Sequence, residues 1–117
     1  MGIPRANRLR RSKDFARVRD SGQSWVNRWL VLIVLENDLD QVRVGAVASR
    51  RVGSAVTRAR TRRLIREAVR PRLEDISGGW DLVFLARASM GSASFHDVDR
   101  AVAELLTRAS LLLENEQ

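Results

Sequence analysis

Apolar positions change their spacing along the chain, and each change predicts an element. Phe15 and Val18 stand three apart behind Ser12, a residue suited to cap a helix, and Ser21-Gly22 follows, which predicts a first helix of about two turns. From Trp25 to Leu35 the pattern becomes nearly continuous and rich in Val, Ile, Leu and Trp, the composition of a strand, with a bend near Asn27-Arg28. Within it Trp29, Val31 and Ile33 fall on one face and Leu30, Leu32 and Val34 on the other. Both faces are apolar, so cover is expected on both sides. A polar turn from Glu36 to Gln41 leads into a second strand, Val42 to Ala48. Gly53-Ser54 then precedes a helix that runs to about Arg70, where Pro71 stops it. Gly78-Gly79 opens a strand from Trp80 to Ala86, and Ser94 with Asp97 gives a weak capping-box signal. The last helix carries Phe95, Val98, Val102, Leu105, Leu106, Ala109, Leu112 and Leu113 at helical spacing, a core stripe. The residues alone therefore give an α-β-β-α-β-α order, an α+β sandwich in a single domain spanning residues 1–117.

Charge changes this picture because it is unevenly distributed. The net +7 conceals two basic segments: residues 1–28 carry +6, and residues 50–72 carry nine arginines against Glu67 alone, or +8. The remainder is mildly acidic. Twenty of the 21 basic residues are arginine, whose planar guanidinium forks phosphate and stacks on bases as an ammonium cannot. In the helix before Pro71, Thr61, Leu64, Ile65 and Ala68 share an arc of about 100°. Arg60, Arg63, Arg66 and Arg70 fall opposite, with Arg58 and Arg62 near the boundary. Such a helix can bury one side and offer a row of cations to a polyanion.

Catalytic chemistry is thin by comparison. There is no cysteine, which excludes disulfides, thiolate metal sites and a Cys nucleophile. The one histidine, His96, reads as a polar residue in the first turn of a helix, and the acids form no metal cluster. The longest apolar run, Trp29 to Leu35, has seven residues, far short of the ~20 that span a bilayer. No signal-peptide pattern follows the arginines near Met1, so a soluble cytoplasmic protein is expected.

Specific spacing narrows the polyanion. Arg43-Val44-Gly45, Ser49-Arg50-Arg51-Val52-Gly53, Ala55-Val56 and the run from Arg58 to Glu67 resemble the signature of the protein component of bacterial ribonuclease P. Arg8-Leu9-Arg10 with Asp14-Phe15 resembles that family's opening, and Leu85-Ala86-Arg87 its last strand, so the likeness covers about residues 8–113. The resemblance implies an α-β-β-β-α-β-α sandwich like the second domain of a small-subunit ribosomal protein, with a left-handed β-α-β crossover. The Trp25–Leu35 run would then count as two strands. It also implies the subunit of an endoribonuclease that removes the 5′ leader of precursor tRNA. In that enzyme the RNA subunit is the catalyst, and Mg²⁺ is held mainly by that RNA and the substrate. The implied partners are ribonuclease P RNA and precursor tRNA, with no membrane, no small-molecule substrate and no catalytic or metal-ligating residue on the protein. Position by position, RNA-subunit contact falls to Arg58, Arg60, Arg62, Arg63 and Arg66. Leader contact falls to Phe15, Ser49, Arg50, Arg51 and Arg87, in a cleft between the first helix and the sheet.

The chain also departs from the family pattern. Ser54 and Ala59 stand where the family has asparagine, and Arg19 and Ile33 stand at two cleft positions that are often aromatic. Trp29, on the strand face of Ile33, is the expected replacement for the missing ring. Two other readings make different predictions. A ribosome-associated protein of related fold would share the basic helix but ignore a 5′ leader. A metal-dependent nuclease would need converging carboxylates, which the sequence does not show.

Overall fold

A computed structural model describes residues 2–112. Its helices are α1 (Ser12–Ser21), α2 (Ala55–Val69) and α3 (Phe95–Arg108). Its strands are β1 (Gln23–Val26), β2 (Leu30–Glu36), β3 (Arg43–Val47) and β4 (Trp80–Ala86). The chain order is α1-β1-β2-β3-α2-β4-α3, so the bent run is two strands. The bend has a local cause: the Asn27 side-chain oxygen accepts hydrogen bonds from the N–H groups of Trp29 (3.1 Å) and Leu30 (3.0 Å), closing a turn. The sheet order is β1-β2-β4-β3, antiparallel except for the β3–β4 pair, which α2 connects. The N-terminal arm extends along β3, where the Leu9 N–H bonds the Val44 carbonyl at 2.9 Å.

Strand parity divides the core. Leu30, Leu32, Val34, Val44, Ala46, Leu82 and Phe84 face α2 and α3, which add Leu64, Ile65, Ala68, Val98, Val102, Leu105 and Leu106. The opposite face packs Ile33 and Val83 against Val18 of α1 and Leu9 of the arm. Both faces of β2 are therefore covered, as its alternation predicts. Pro71 does stop α2, which gives way to a 3-10 segment, Arg70–Asp75. α3 ends at Arg108, short of Leu112; Leu113 lies outside the described residues.

Both long helices have built N-termini. Ser94 and Asp97 form a complete capping box on α3. Ser54 caps α2, its hydroxyl accepting from the Thr57 N–H at 3.2 Å. Serine and asparagine are comparable N-caps, so the departure at Ser54 keeps the capping bond. Ser54→Asn is expected to leave the thermal midpoint nearly unchanged, whereas Ser54→Ala costs about 1 kcal/mol in denaturant unfolding.

Candidate nucleic-acid interface

Three rows of side chains cross the α1 face of the sheet, and the strand register fixes them: Leu35–Asp81–Arg43, Ile33–Val83–Gly45 and Val31–Leu85–Val47. α1 lies over the first two. Val18 is fully buried, and the Phe15 ring rests on Gly45 so closely that a Cβ there would stand 2.5 Å from Phe15 Cζ. The third row is only half buried and forms the floor of an open groove of about 440 Å³. Arg19, Ser49, Arg51 and Arg87 border that groove, and no carboxylate is among its lining residues. It continues along α1 as a hollow lined by Ser12, Phe15, Arg19 and Val47. An apolar floor under a cationic rim is the arrangement that single-stranded nucleic acid requires, with flat bases below and phosphates at the edge.

The groove thus collects Phe15, Ser49, Arg51 and Arg87 from three separate parts of the chain. Arg87 is held in place, its guanidinium donating to the Asn27 carbonyl at 2.6 Å. Arg50 is exposed on the turn that Val52 and Gly53 close by donating to the Ser49 and Arg50 carbonyls, and its side chain is outside the groove lining. Gly53 has φ of 151°, a conformation open chiefly to glycine, and it sets the entry angle of α2. Arg19 was legible only as a lost aromatic position; here it is a cation lining the groove, four residues from Phe15 and on the same side of α1.

Trp29 requires a correction. Its position one residue before β2 puts it in the Asn27 turn, where strand alternation does not hold. The ring packs against the α2–α3 core cluster, and Arg28 stacks on it with the guanidinium carbon 4.5 Å from the ring centroid. It borders a hollow with Arg100, Ala101 and Glu104 of α3, on the far side of the sheet from Phe15. It does not replace a ring in the groove.

α2 presents the arginines as its periodicity predicts. Thr61, Leu64, Ile65, Ala68 and Val69 are buried, while Arg60, Arg63 and Arg70 are exposed and Arg58, Arg62 and Arg66 are half buried along the flanks. Internal compensation is slight: Arg63 approaches Glu67 at 3.7 Å, an exposed i,i+4 pair of little value. The N-terminal arm adds to this charge. Arg8 and Arg10 line a second groove of about 430 Å³ with Arg63 and Arg66. Burial, followed by the nearby charges of Arg62 and Arg8, lowers the Arg66 pKa, although Glu67 lines the same groove. Phe15 lines this groove as well, so one ring stands between the two basic surfaces.

Several of the acids hold structural contacts. Asp99 pairs with Arg72 at 2.7 Å, Glu104 accepts from Asn27, and Asp97 belongs to the capping box. Asp81, fully buried, accepts from Arg17, Arg43 and Asn37. Among the described residues no group of three or more His, Cys, Asp or Glu side chains comes together as a protein-only metal site. His96 is exposed in the first turn of α3, and Asp97 beside it is committed to Ser94. No described helix is long and apolar enough to cross a membrane.

The family model for ribonuclease P matches residues 3–110. A ribonuclease P protein component from Clostridioides difficile is 40% identical over 112 residues, which is 95% of this chain and 98% of that one. One from Chloroflexus aggregans is 43% identical over 109 residues, covering 92% and 81% of the two chains. Among solved structures, the Staphylococcus aureus RNase P protein superposes with a TM-score of 0.85 at 27% identity, over 92% of this chain and 99% of that one. The Thermotoga maritima RNase P protein gives 0.78 at 30% identity, over 86% and 96%. Sequence signature, sheet order and full-length likeness agree, and the chain belongs to the ribonuclease P protein component family, whose members partner ribonuclease P RNA.

Proposed function

We propose that this chain binds the catalytic RNA of ribonuclease P through the exposed side of α2 and holds the 5′ leader of precursor tRNA in the groove beside α1. The observation that supports this best is the open Val31–Leu85–Val47 row under a rim of Arg19, Arg51 and Arg87, adjoining but distinct from the arginine stripe of α2. Arg58, Arg60, Arg62, Arg63 and Arg66 serve the RNA subunit, while Phe15, Ser49, Arg51 and Arg87 serve the leader. Arg50, exposed on the connecting turn, is within reach of either RNA. The protein supplies position and charge in the cytoplasm, where precursor tRNA is made. Phosphodiester cleavage and its Mg²⁺ ions belong to the RNA subunit and substrate; among the described residues no group of three carboxylates gathers on the protein.

The reading is tested by holoenzyme affinity for precursor tRNA with and without its leader. Phe15→Ala is expected to weaken binding of the leader-bearing substrate about tenfold, since one base–aromatic stack contributes ~1–3 kcal/mol. Binding of leaderless tRNA and of the RNA subunit should stay within about twofold. Equal loss for both substrates would make Phe15 a packing residue and remove the leader from this groove.

A further inference from the structure

Asp81 is a buried carboxylate that no binding role above uses, and it ties three parts of the chain together. Its oxygens accept from Arg43 Nε (2.9 Å) and Nη2 (2.8 Å), from Asn37 Nδ2 (2.8 Å) and from Arg17 Nη2 (2.6 Å). Arg43 also reaches Asp14 at 3.7 Å. Asp14 and Arg17 are both on α1, so the hub grips the helix twice. Burial by itself would raise the Asp81 pKa. The hydrogen bonds from Arg43 and Asn37 and the charges of Arg43 and Arg17 outweigh it and hold the carboxyl below its usual range, so the group is an anion at neutral pH.

Helical geometry shows what the grip controls. With 100° per residue, Val18 points at the sheet, Asp14 and Arg17 fall to one side of it, and Phe15 and Arg19 fall to the other. The first side meets the Leu35–Asp81–Arg43 row. The second side is the wall of the groove, above the Val31–Leu85–Val47 row. Four residues of β4, about 13 Å, separate Asp81 from Leu85. The helix is therefore pinned at one end of the face, and its free side defines the width of the opening at the other.

We propose that Asp81 and Arg17 are positioning residues: their ion pair fixes the roll of α1 over the sheet and so places Phe15 and Arg19 against the leader. This rests on the leader-groove reading above. The pair does not touch RNA in this account. Arg17 is 42% exposed, so the competing role is direct contact with a leader phosphate, and the two roles differ in measurable ways.

The test is a double-mutant cycle of Arg17→Met and Asp81→Asn in the reconstituted holoenzyme, with Phe15→Ala alongside. The readouts are affinity for leader-bearing and leaderless precursor across a salt series, affinity for the RNA subunit, and circular dichroism. The expected result is a five- to tenfold loss of leader-dependent affinity in either single variant, no further loss in the double, an unchanged salt slope, and RNA-subunit affinity within twofold. A direct phosphate contact would instead lower the slope by about 0.7 in Arg17→Met, and Asp81→Asn would release Arg17 and leave leader affinity equal or higher. That outcome overturns the proposal. Arg17→Met leaves Asp81 paired with Arg43 and Asn37, so it carries the test by itself if Asp81→Asn does not fold. Loss in Phe15→Ala with none in Arg17→Met refutes the clamp but keeps the leader groove. No loss in Phe15→Ala refutes the groove itself.

Discussion

Replacing Arg60 and Arg63 together by alanine is expected to weaken binding to the RNA subunit by about a hundredfold at moderate salt. Both side chains are exposed on the middle of α2, and neither supports the fold: among the described residues the one ion pair they make is Arg63 with Glu67, exposed and 3.7 Å long. Each charge-assisted bond to phosphate is worth ~1.5–3 kcal/mol, and about 1.4 kcal/mol per arginine already gives the hundredfold figure. The salt series makes the test specific. Each lost phosphate contact should reduce the slope of log K against log salt by about 0.7–0.9, so the double variant should lose roughly 1.5. Thermal unfolding should be unchanged or slightly improved, because removing two of the crowded cations relieves repulsion. Lower affinity with an unchanged slope would mean that α2 meets the RNA by other contacts.

Gly45→Ala is expected to damage the leader groove from beneath. The added methyl would stand 2.5 Å from Phe15 Cζ and 3.3 Å from Leu9 Cβ, with the strand below and the ring above. Neither backbone nor ring can yield enough without displacing Phe15, and overpacking of this kind costs ~1–3 kcal/mol of stability. Leader-dependent affinity should fall about as far as in Phe15→Ala, while RNA-subunit affinity, carried mainly by the exposed arginines of α2, should fall much less. Combined with Phe15→Ala, the methyl enters the space left by the ring. The stability losses should then be clearly less than additive, as expected for residues in contact. Additive losses would show that the ring does not rest on Gly45 in solution.

Much of this was legible in the residues, and the exceptions have physical causes. The two sides of α2, the Ser94–Asp97 box and the two apolar faces of β2 all follow from period and capping, which act between residues close in sequence. The third row of the α1 face was legible only strand by strand: alternation assigns each residue to a face, but the pairing of Val31 and Val47 with Leu85 is long-range. Trp29 escaped because a side-chain turn at Asn27 ends the alternation one residue before β2 begins. The Asp81 hub escaped because its partners come from elsewhere: Arg17 is 64 positions away and Arg43 38. Arg19 was legible only by what it lacked, a ring, and its value as a cation emerges when α1 is laid beside Arg51 and Arg87.

The central claim is that this protein supplies binding surfaces and its RNA partner supplies the chemistry. A precursor-tRNA processing assay at low Mg²⁺ tests it most directly, with the protein alone, the organism's ribonuclease P RNA alone, and the two together. The account predicts no cleavage by the protein alone, slow cleavage by the RNA alone, and strongly accelerated release of the 5′ leader by the pair. Correct 5′-end formation by the purified protein without RNA, or no acceleration when the two are combined, would contradict it.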